Sequence, residues 1–558
     1  MKETRIEPKL WTVLKEGYSL SLFSKDLVAG ILVGIVALPL SIALAIASGV
    51  KPEQGLYTAV IAGFVIAALS GSRVQIGGPT GAFIVLVYNT VQQFGYGGLA
   101  VATLLAGALL VVMGLLRFGE VIKFIPYPVT VGFTCGIAIL IFTTQIRDFF
   151  GLDMAAPPAE FHEKILAYAE HAGSINLSAL GLGAAALAII FLWPRVTRRV
   201  PGSLIAILIL TPLVQVLHLP VDTIGSRFGS VPTHLPMPAL PHIPWRDLPK
   251  LFQPAFAIAL LAGIESLLSA VVADGMTGRR HRSNTELVAQ GIANLITPLF
   301  GGIPATGAIA RTATNIKNGG QTPVAGMIHA LTLLLIMMAF GRWAVLIPMP
   351  ILAAILIKVS FDMAEWHLFF RLLRSSAGDV LILVSTFLLT VLVDLTVAIE
   401  SGVVLAAFLF MHRMAEATQV GFVTDDLGGS DDEADPNSIR TRAVPEGVEV
   451  FEIYGPFFFG AADRFKDEMR RLEKPPRVLI LRMRHVPTID ATGLQALEDL
   501  WRKGQKQGTT LVLSGVQEKP WQQLEQAGLY YRIGPQNVHA HLDAALAHAR
   551  ELVGASIS

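Results

Sequence analysis

The chain has 558 residues, of which 53% are hydrophobic and only 15% charged, whereas a soluble chain carries about 25% charge. This excludes an ordinary soluble enzyme and points to a polytopic membrane protein. The net charge of +1 offers nothing to a nucleic acid, and the lone cysteine, Cys135, excludes an intrachain disulfide framework.

The amino end is polar through Asp26 and turns apolar from Leu27 to Ala47. That run is long enough to cross a hydrocarbon core as a helix and too long for the apolar region of most signal peptides. It is read as a retained first span, despite the small residues Ala45, Ile46 and Ala47 at its end. From Leu27 to Met411, apolar runs broken by Gly, Pro and short basic clusters give about fourteen membrane elements. The connections predicted to face the cytoplasm hold Arg73; Arg117 and Lys123; Arg195, Arg198 and Arg199; Arg279, Arg280 and Arg282; Lys317; then Arg371 and Arg374. The intervening turns, such as "FGYGG" at 94–98 and the stretch around Asp394, carry almost no Lys or Arg. The positive-inside rule therefore puts both termini in the cytoplasm of a multi-pass protein of the cell (inner) membrane.

Two stretches in opposite halves, "GGPTGAFIVLVYNT" (77–90) and "GGIPATGAIARTATNIKN" (301–318), share Gly-Gly, then Pro, then Thr-Gly-Ala. Each has a Pro where a helix is expected to begin, and each is short for a full span. Short, Gly/Pro-interrupted segments in matched positions point to a transporter's central site. The physical reason is that a helix starting inside the membrane leaves its first N–H groups unpaired and exposes the positive end of its dipole, which attracts anions. An odd number of spans per half inverts the second repeat, so seven plus seven elements aim both starts at one midplane cavity. Arg311, seven residues after Pro304, is expected about two turns into the second half-helix, where it holds the anion's charge, pairs with a carboxylate or reaches the cytoplasmic rim.

Between these repeats, "FAIALLAGIESLLSAVVADG" (256–275) places Glu265 near the middle of an apolar run, at a cost of roughly 2.5–3.5 kcal/mol on insertion scales. Burial in a cavity favours the protonated acid and a nearby cation the ionised one; either state suits ion coupling. Ser269, one turn on, is expected to hydrogen-bond it. Glu400, in "DLTVAIESGVVLA", lies near the outer end of its span and is expected to make a structural hydrogen bond.

After Met411 the composition turns to an acidic tether, "TDDLGGSDDEADPNS", followed by a soluble α/β pattern. Stretches 448–455, 478–485 and 510–516 read as strands; 461–473, 491–507, 519–529 and 537–552 read as helices. No Gly-x-x-x-x-Gly-Lys-Ser/Thr pattern occurs, so no P-loop is present. "FHEK" (161–164) lacks the second His of a zinc protease motif, and "GLG" (181–183) lacks the third glycine of a dinucleotide site.

The stretch "ALPLSIALAIASGVKPEQGLYTAVIAGFVIAALSGSRVQIGGPTGAF" (37–83), with "GIESLL" (263–268) and "PATGAIARTATN" (304–315), strongly resembles the SulP family of sulfate permeases, the solute carrier family 26 type, over nearly the whole chain. The soluble part resembles the STAS domain that follows in that family, with "TIDATGLQAL" (488–497) as its signature. The resemblance implies an α-helical membrane domain of about fourteen segments in 7+7 inverted repeats, with core and gate domains of the UraA-like fold that also carries nucleobases, then a cytoplasmic α/β STAS domain. The corresponding boundaries are 1–24 for a cytoplasmic segment, 25–415 for the transport domain, 416–442 for the acidic linker and 443–558 for the STAS domain.

By the same resemblance, the substrate site involves Thr80, Gly81, Ala82 and Phe83 on one side and Ala310 and Arg311 on the other, with Glu265 as the ion-coupling position. Leu40 stands where many members have a polar Gln, which removes one side-chain hydrogen bond from the site. Asp490 and Thr492 occupy the place of the phosphorylated segment of anti-sigma-factor antagonists, or simply cap a helix. The expected function is secondary active transport of a small anion of the sulfate, bicarbonate or dicarboxylate class by proton-coupled symport, with no cofactor or metal. The expected partners are the bilayer, a second copy in a homodimer and a cytoplasmic regulator of the STAS domain. Alternatives are sodium-coupled bicarbonate symport or anion exchange and, more remotely, a nucleobase carrier or a membrane-anchored sensor.

Overall fold

The computed structural model describes residues 6–120, 126–154, 157–158, 160–197, 200–229, 232–241, 248–393, 395–417, 419–422, 442–470 and 475–554. Lys123, Arg198, Arg199 and Asp394 of the topology reading, and 423–441 of the acidic tether, lie outside the described residues. The chain divides into two compact units, 1–404 and 405–558.

The first half of the membrane unit contains α1 (Leu20–Ala47), α2 (Pro52–Leu69), α3 (Ile84–Leu115), α4 (Tyr127–Thr144), α5 (Leu177–Leu192) and α6 (Gly202–Leu217). α3 is two helices meeting at Gly95, whose φ of 67° breaks the run, so this half supplies seven elements. The second half supplies α7 (Leu248–Thr277), α8 (Ser283–Ile296), α9 (Ile309–Lys317), α10 (Pro323–Ala344), α11 (Met349–Met363), α12 (Ala377–Leu392) and α13 (Leu395–Ala417). Several are long and apolar enough to cross a bilayer, among them α1, α7 and α10.

The two halves pack alike with a shift of seven elements. α2 lies on α10 as α8 lies on the second arm of α3, α1 lies on α10 as α7 lies on α3, and α4 lies on α12 as α11 lies on α5. Without a hydrophobic drive between helices in lipid, small residues decide how close they come. At the α3–α8 contact a Cβ on Gly107 would stand 2.8 Å from the Gly291 carbonyl oxygen, and one on Gly291 would stand 2.7 Å from the Gly107 oxygen. Only a glycine pair fits.

Two acids inside this unit are structural. Asp26 of α1 accepts from the backbone N–H of Gln321 at 2.8 Å and from Thr322 at the start of α10. Glu286 of α8 accepts from Ser70 Oγ, from the Gly71 N–H at 3.0 Å and from Gln290 Nε2 at 2.8 Å. Glu400, expected to make a structural hydrogen bond, instead faces outward on α13 and makes none among the described residues.

The second unit is an α/β fold. Its five-stranded sheet runs β3-β4-β5-β6-β7 in the numbering of β3 (Gln419–Phe422), β4 (Val448–Tyr454), β5 (Val478–His485), β6 (Thr510–Ser514) and β7 (Val538–His539); β3 is antiparallel and the rest parallel. β5 is almost wholly buried, as a central parallel strand must be. Helices α14 (Phe459–Arg470), α15 (Ala491–Gln507), α16 (Glu518–Gln526) and α17 (Leu542–Gly554) accompany it. Two sequence expectations change. The stretch read as a tether contributes β3, and the helix expected from 537 starts only at Leu542, because 538–539 pairs with β6.

Candidate functional site

The two Gly-Gly-Pro stretches meet. Gly77–Gly78 (β1) and Thr306–Gly307 (β2) form a two-residue antiparallel bridge, with Gly77 opposite Gly307 and Gly78 opposite Thr306. Beyond it, a 3-10 turn at Gly81–Phe83 leads into α3, and Ala308 leads into α9. The expected helix starts at Pro79 and Pro304 are therefore corrected: both prolines lie outside any helix, and the helices begin at Gly81 and Ile309. Extended backbone inside a membrane must have its polar groups satisfied by protein. Here Thr58 Oγ1 accepts from the Ile303 N–H at 2.7 Å, and the Asn294 amide takes both backbone groups of Ala305 at 2.9 and 2.8 Å. Gln54 and Tyr96 donate to the carbonyls of Gly301 and Gly302.

No side chain caps either helix start. The Thr80 hydroxyl, placed where a cap would be, instead donates to Glu265 Oε2 at 2.8 Å. The first start thus lies against one carboxylate through Thr80, and neither start has a side chain on its first N–H groups. Unlike Asp26 and Glu286, Glu265 is only partly buried and has this single hydrogen bond among the described residues, leaving acceptor capacity for a cation or proton. Ser269 does not reach it; its hydroxyl is 3.2 Å from Thr312 Oγ1, which also accepts from the Ile76 N–H at 3.0 Å.

Arg311 stands in the first turn of α9, not two turns in, because the helix starts five residues later than Pro304 suggested. It is 3% exposed and donates from Nη2 to the Pro79 carbonyl of the opposite stretch. Gly78, at φ 149°, makes room: a Cβ there would lie 2.5 Å from Arg311 Nη1. Of the other positions singled out, Thr80 and Gly81 are partly exposed and Ala310 is exposed, whereas Ala82 and Phe83, each 1% exposed, pack into the apolar core. Leu40 packs partly buried against the same core. Sequence reasoning missed Gln75, Asn294, Thr306, Thr312 and Asn315, which hold the crossing together; Gln75 and Thr306 donate to the Ser266 and Ala262 carbonyls of α7 at 3.1 and 2.9 Å. Their signal was available as polar residues in apolar stretches, but only the folded chain shows that they serve backbone groups.

Residues 23–386 match the sulfate permease family, and residues 441–545 match the STAS domain. YvdB of Bacillus subtilis (strain 168) is 42% identical over 95% of this chain and 98% of its own length. The chain belongs to the sulfate permease family. It is a membrane transporter and not an enzyme. The bicarbonate transporter BicA of Picosynechococcus sp. is 30% identical over 94% of each chain. The murine Solute Carrier 26 family member A9 anion transporter, solved in the inward-facing state, shares the fold with a TM-score of 0.86 at 17% identity, over 98% of this chain and 94% of that one.

In the STAS domain, Asp490 is the N-cap of α15: its Oδ1 accepts from the Gly493 N–H at 2.8 Å, and its Oδ2 is 3.3 Å from the Phe459 N–H. Thr492 is exposed in the first turn and makes no hydrogen bond among the described residues. Asp490→Ala is expected to cost about 1 kcal/mol. In thermal unfolding of the full chain this appears as a lower midpoint for the soluble unit, with uptake unchanged and Asp490→Asn restoring most of the loss.

Proposed function

We propose that this protein is a secondary active transporter of a small anion of the sulfate, bicarbonate or dicarboxylate class, working by alternating access around the β1–β2 crossing. The carrying observation is that two uncapped helix starts and one partly exposed carboxylate, Glu265, come together where non-helical backbone crosses the membrane unit. The helix starts offer N–H groups to the anion, with Thr80, Gly81 and Ala310 at the accessible side. Glu265 takes up the coupling ion, a proton in the favoured reading and sodium in the alternative of a bicarbonate symporter; anion exchange is the third form. Substrate charge and coupling-ion charge then offset each other across the crossing, so the loaded carrier moves with little net charge in low dielectric.

In this reading both termini are cytoplasmic, the protein sits in the cell membrane as a homodimer, and the STAS domain regulates transport, with Asp490 and Thr492 as the segment a cytoplasmic partner would address. The supporting facts are the family membership and the likeness to a bicarbonate transporter. Uptake into proteoliposomes of radiolabelled sulfate, bicarbonate, chloride and dicarboxylates, at several pH values and with or without sodium, tests it. Accumulation of one of these anions driven by a proton or sodium gradient is the expected result. Uptake of uracil that small anions fail to inhibit would replace the reading with that of a nucleobase carrier.

A further inference from the structure

A cavity of about 230 Å³ lies on the other side of the first half-helix from its start. Its walls come from the ends of four elements that the predicted topology turns outward: 43–49 at the end of α1, Tyr88 and Gln92 of α3, 144–148 after α4, and Met349 with Leu352 of α11. The helix Phe161–Glu170, from the connection between α4 and α5, closes it with Lys164. Tyr88 is five residues beyond Phe83, about 8 Å along the helix, so the cavity is separate from the crossing but borders the same helix.

Its charges do not balance. Arg227 is occupied by Asp148 at 2.7 Å and Asp222 at 3.0 Å. Arg147 and Lys164 have no carboxylate partner among the described residues, and the buried Nε of Arg147 has no acceptor among them. Lys164 is only 2% exposed. Its ammonium lies 5.7 Å from the centroid of the Tyr88 ring, whose hydroxyl donates to the Pro157 carbonyl at 2.6 Å. A buried, unpaired ammonium is costly. Burial pushes its pKa down to about 8, which still leaves it charged at neutral pH. Long charged side chains normally reach for water, yet this one is folded inward over an aromatic face into a cavity that already holds a second unpaired cation.

We propose that this cavity is a second anion-binding site, in series with the crossing on its outward side, where Lys164 and Arg147 hold one small inorganic anion before it passes along the first half-helix. The ligand class rests on the transport reading above. The site's placement rests on the unpaired cations alone.

Crystals of the full chain soaked in bromide test it. Anomalous density is expected at ion-pair distance, about 4 Å, from Lys164 Nζ; it is lost in Lys164→Gln and kept in Lys164→Arg. In proteoliposomes Lys164→Gln is expected to raise the KM for anion presented at the outer face about tenfold and to leave the KM at the inner face unchanged. Absence of bromide density near Lys164 in the wild type, or density that survives Lys164→Gln, overturns the site, as does an equal KM change at both faces. Bromide bound at Lys164 in a protein that transports no anion would instead sink the transport reading and leave the site standing.

Discussion

Arg311→Ala is expected to weaken anion uptake sharply, through a raised KM, and to lower the stability of the membrane unit by about 3 kcal/mol. The guanidinium joins the two halves of the protein at the crossing: it sits on α9 and donates to the Pro79 carbonyl that precedes the other half-helix. Removing it leaves a buried carbonyl without its donor, which costs about 1–3 kcal/mol. It also removes the cation whose field reaches Glu265, so a half-buried carboxylate loses its compensation. Two of its nitrogens, Nε and Nη1, have no partner among the described residues, and in the proposed mechanism they are left for an anion at the crossing. Arg311→Lys should recover part of the stability and little of the uptake, because one ammonium cannot hold Pro79 and an anion in the same planar geometry. Thermal midpoints of the purified full chain, measured beside KM for the transported anion, separate the two roles. A lowered midpoint with unchanged KM would make Arg311 a scaffold residue, and an unchanged midpoint would remove the clamp as well.

The pair of short Gly-Pro stretches was legible because a helix that begins within the membrane needs punctuation, and Gly-Gly followed by Pro supplies it in both halves. The fourteen-element arrangement followed from counting apolar runs, since seven per half forces inversion. The error in the helix starts, two residues from Pro79 and five from Pro304, has a definite cause. Proline favours the first helical position, but it equally favours extended backbone, and the outcome here depends on Asn294, Thr58 and the β1–β2 bridge, which lie far from Pro304 in sequence. The same distance effect misplaced Ser269. One turn from Glu265 on the same helix, it was the natural local partner, yet the rotation of α7 gives it to Thr312 and gives Glu265 to Thr80, 185 residues away in the chain. Pattern along one helix locates the charged group, and packing between helices chooses its partner. In the STAS domain, the extra strands β3 and β7 went unread because two to four residues are too few to show a period of two.

Glu265→Gln is expected to remove the dependence of accumulation on the proton or sodium gradient while leaving downhill exchange of the anion measurable. The substitution is nearly isosteric, and the amide carbonyl can still accept from the Thr80 hydroxyl, so the start of the first half-helix keeps its place. What changes is charge. In the proposed mechanism the carboxylate is neutralised by a proton or sodium ion, which would tie the anion's movement to the gradient; an amide is neutral throughout. The coupling ion therefore loses its binding group, and the free energy it lent to uphill transport, about 1.4 kcal/mol for each tenfold gradient, is lost with it. Asp26→Asn and Glu286→Gln are the controls, because those acids are filled by backbone and side-chain donors and should lower stability without touching coupling. Proteoliposomes loaded to impose a pH or sodium gradient read the difference directly: wild-type protein concentrates the anion above its external level, and Glu265→Gln only equilibrates it. If the variant still accumulates anion in proportion to the gradient, coupling resides elsewhere, and the contact between Glu265 and Thr80 serves only to fix the half-helix.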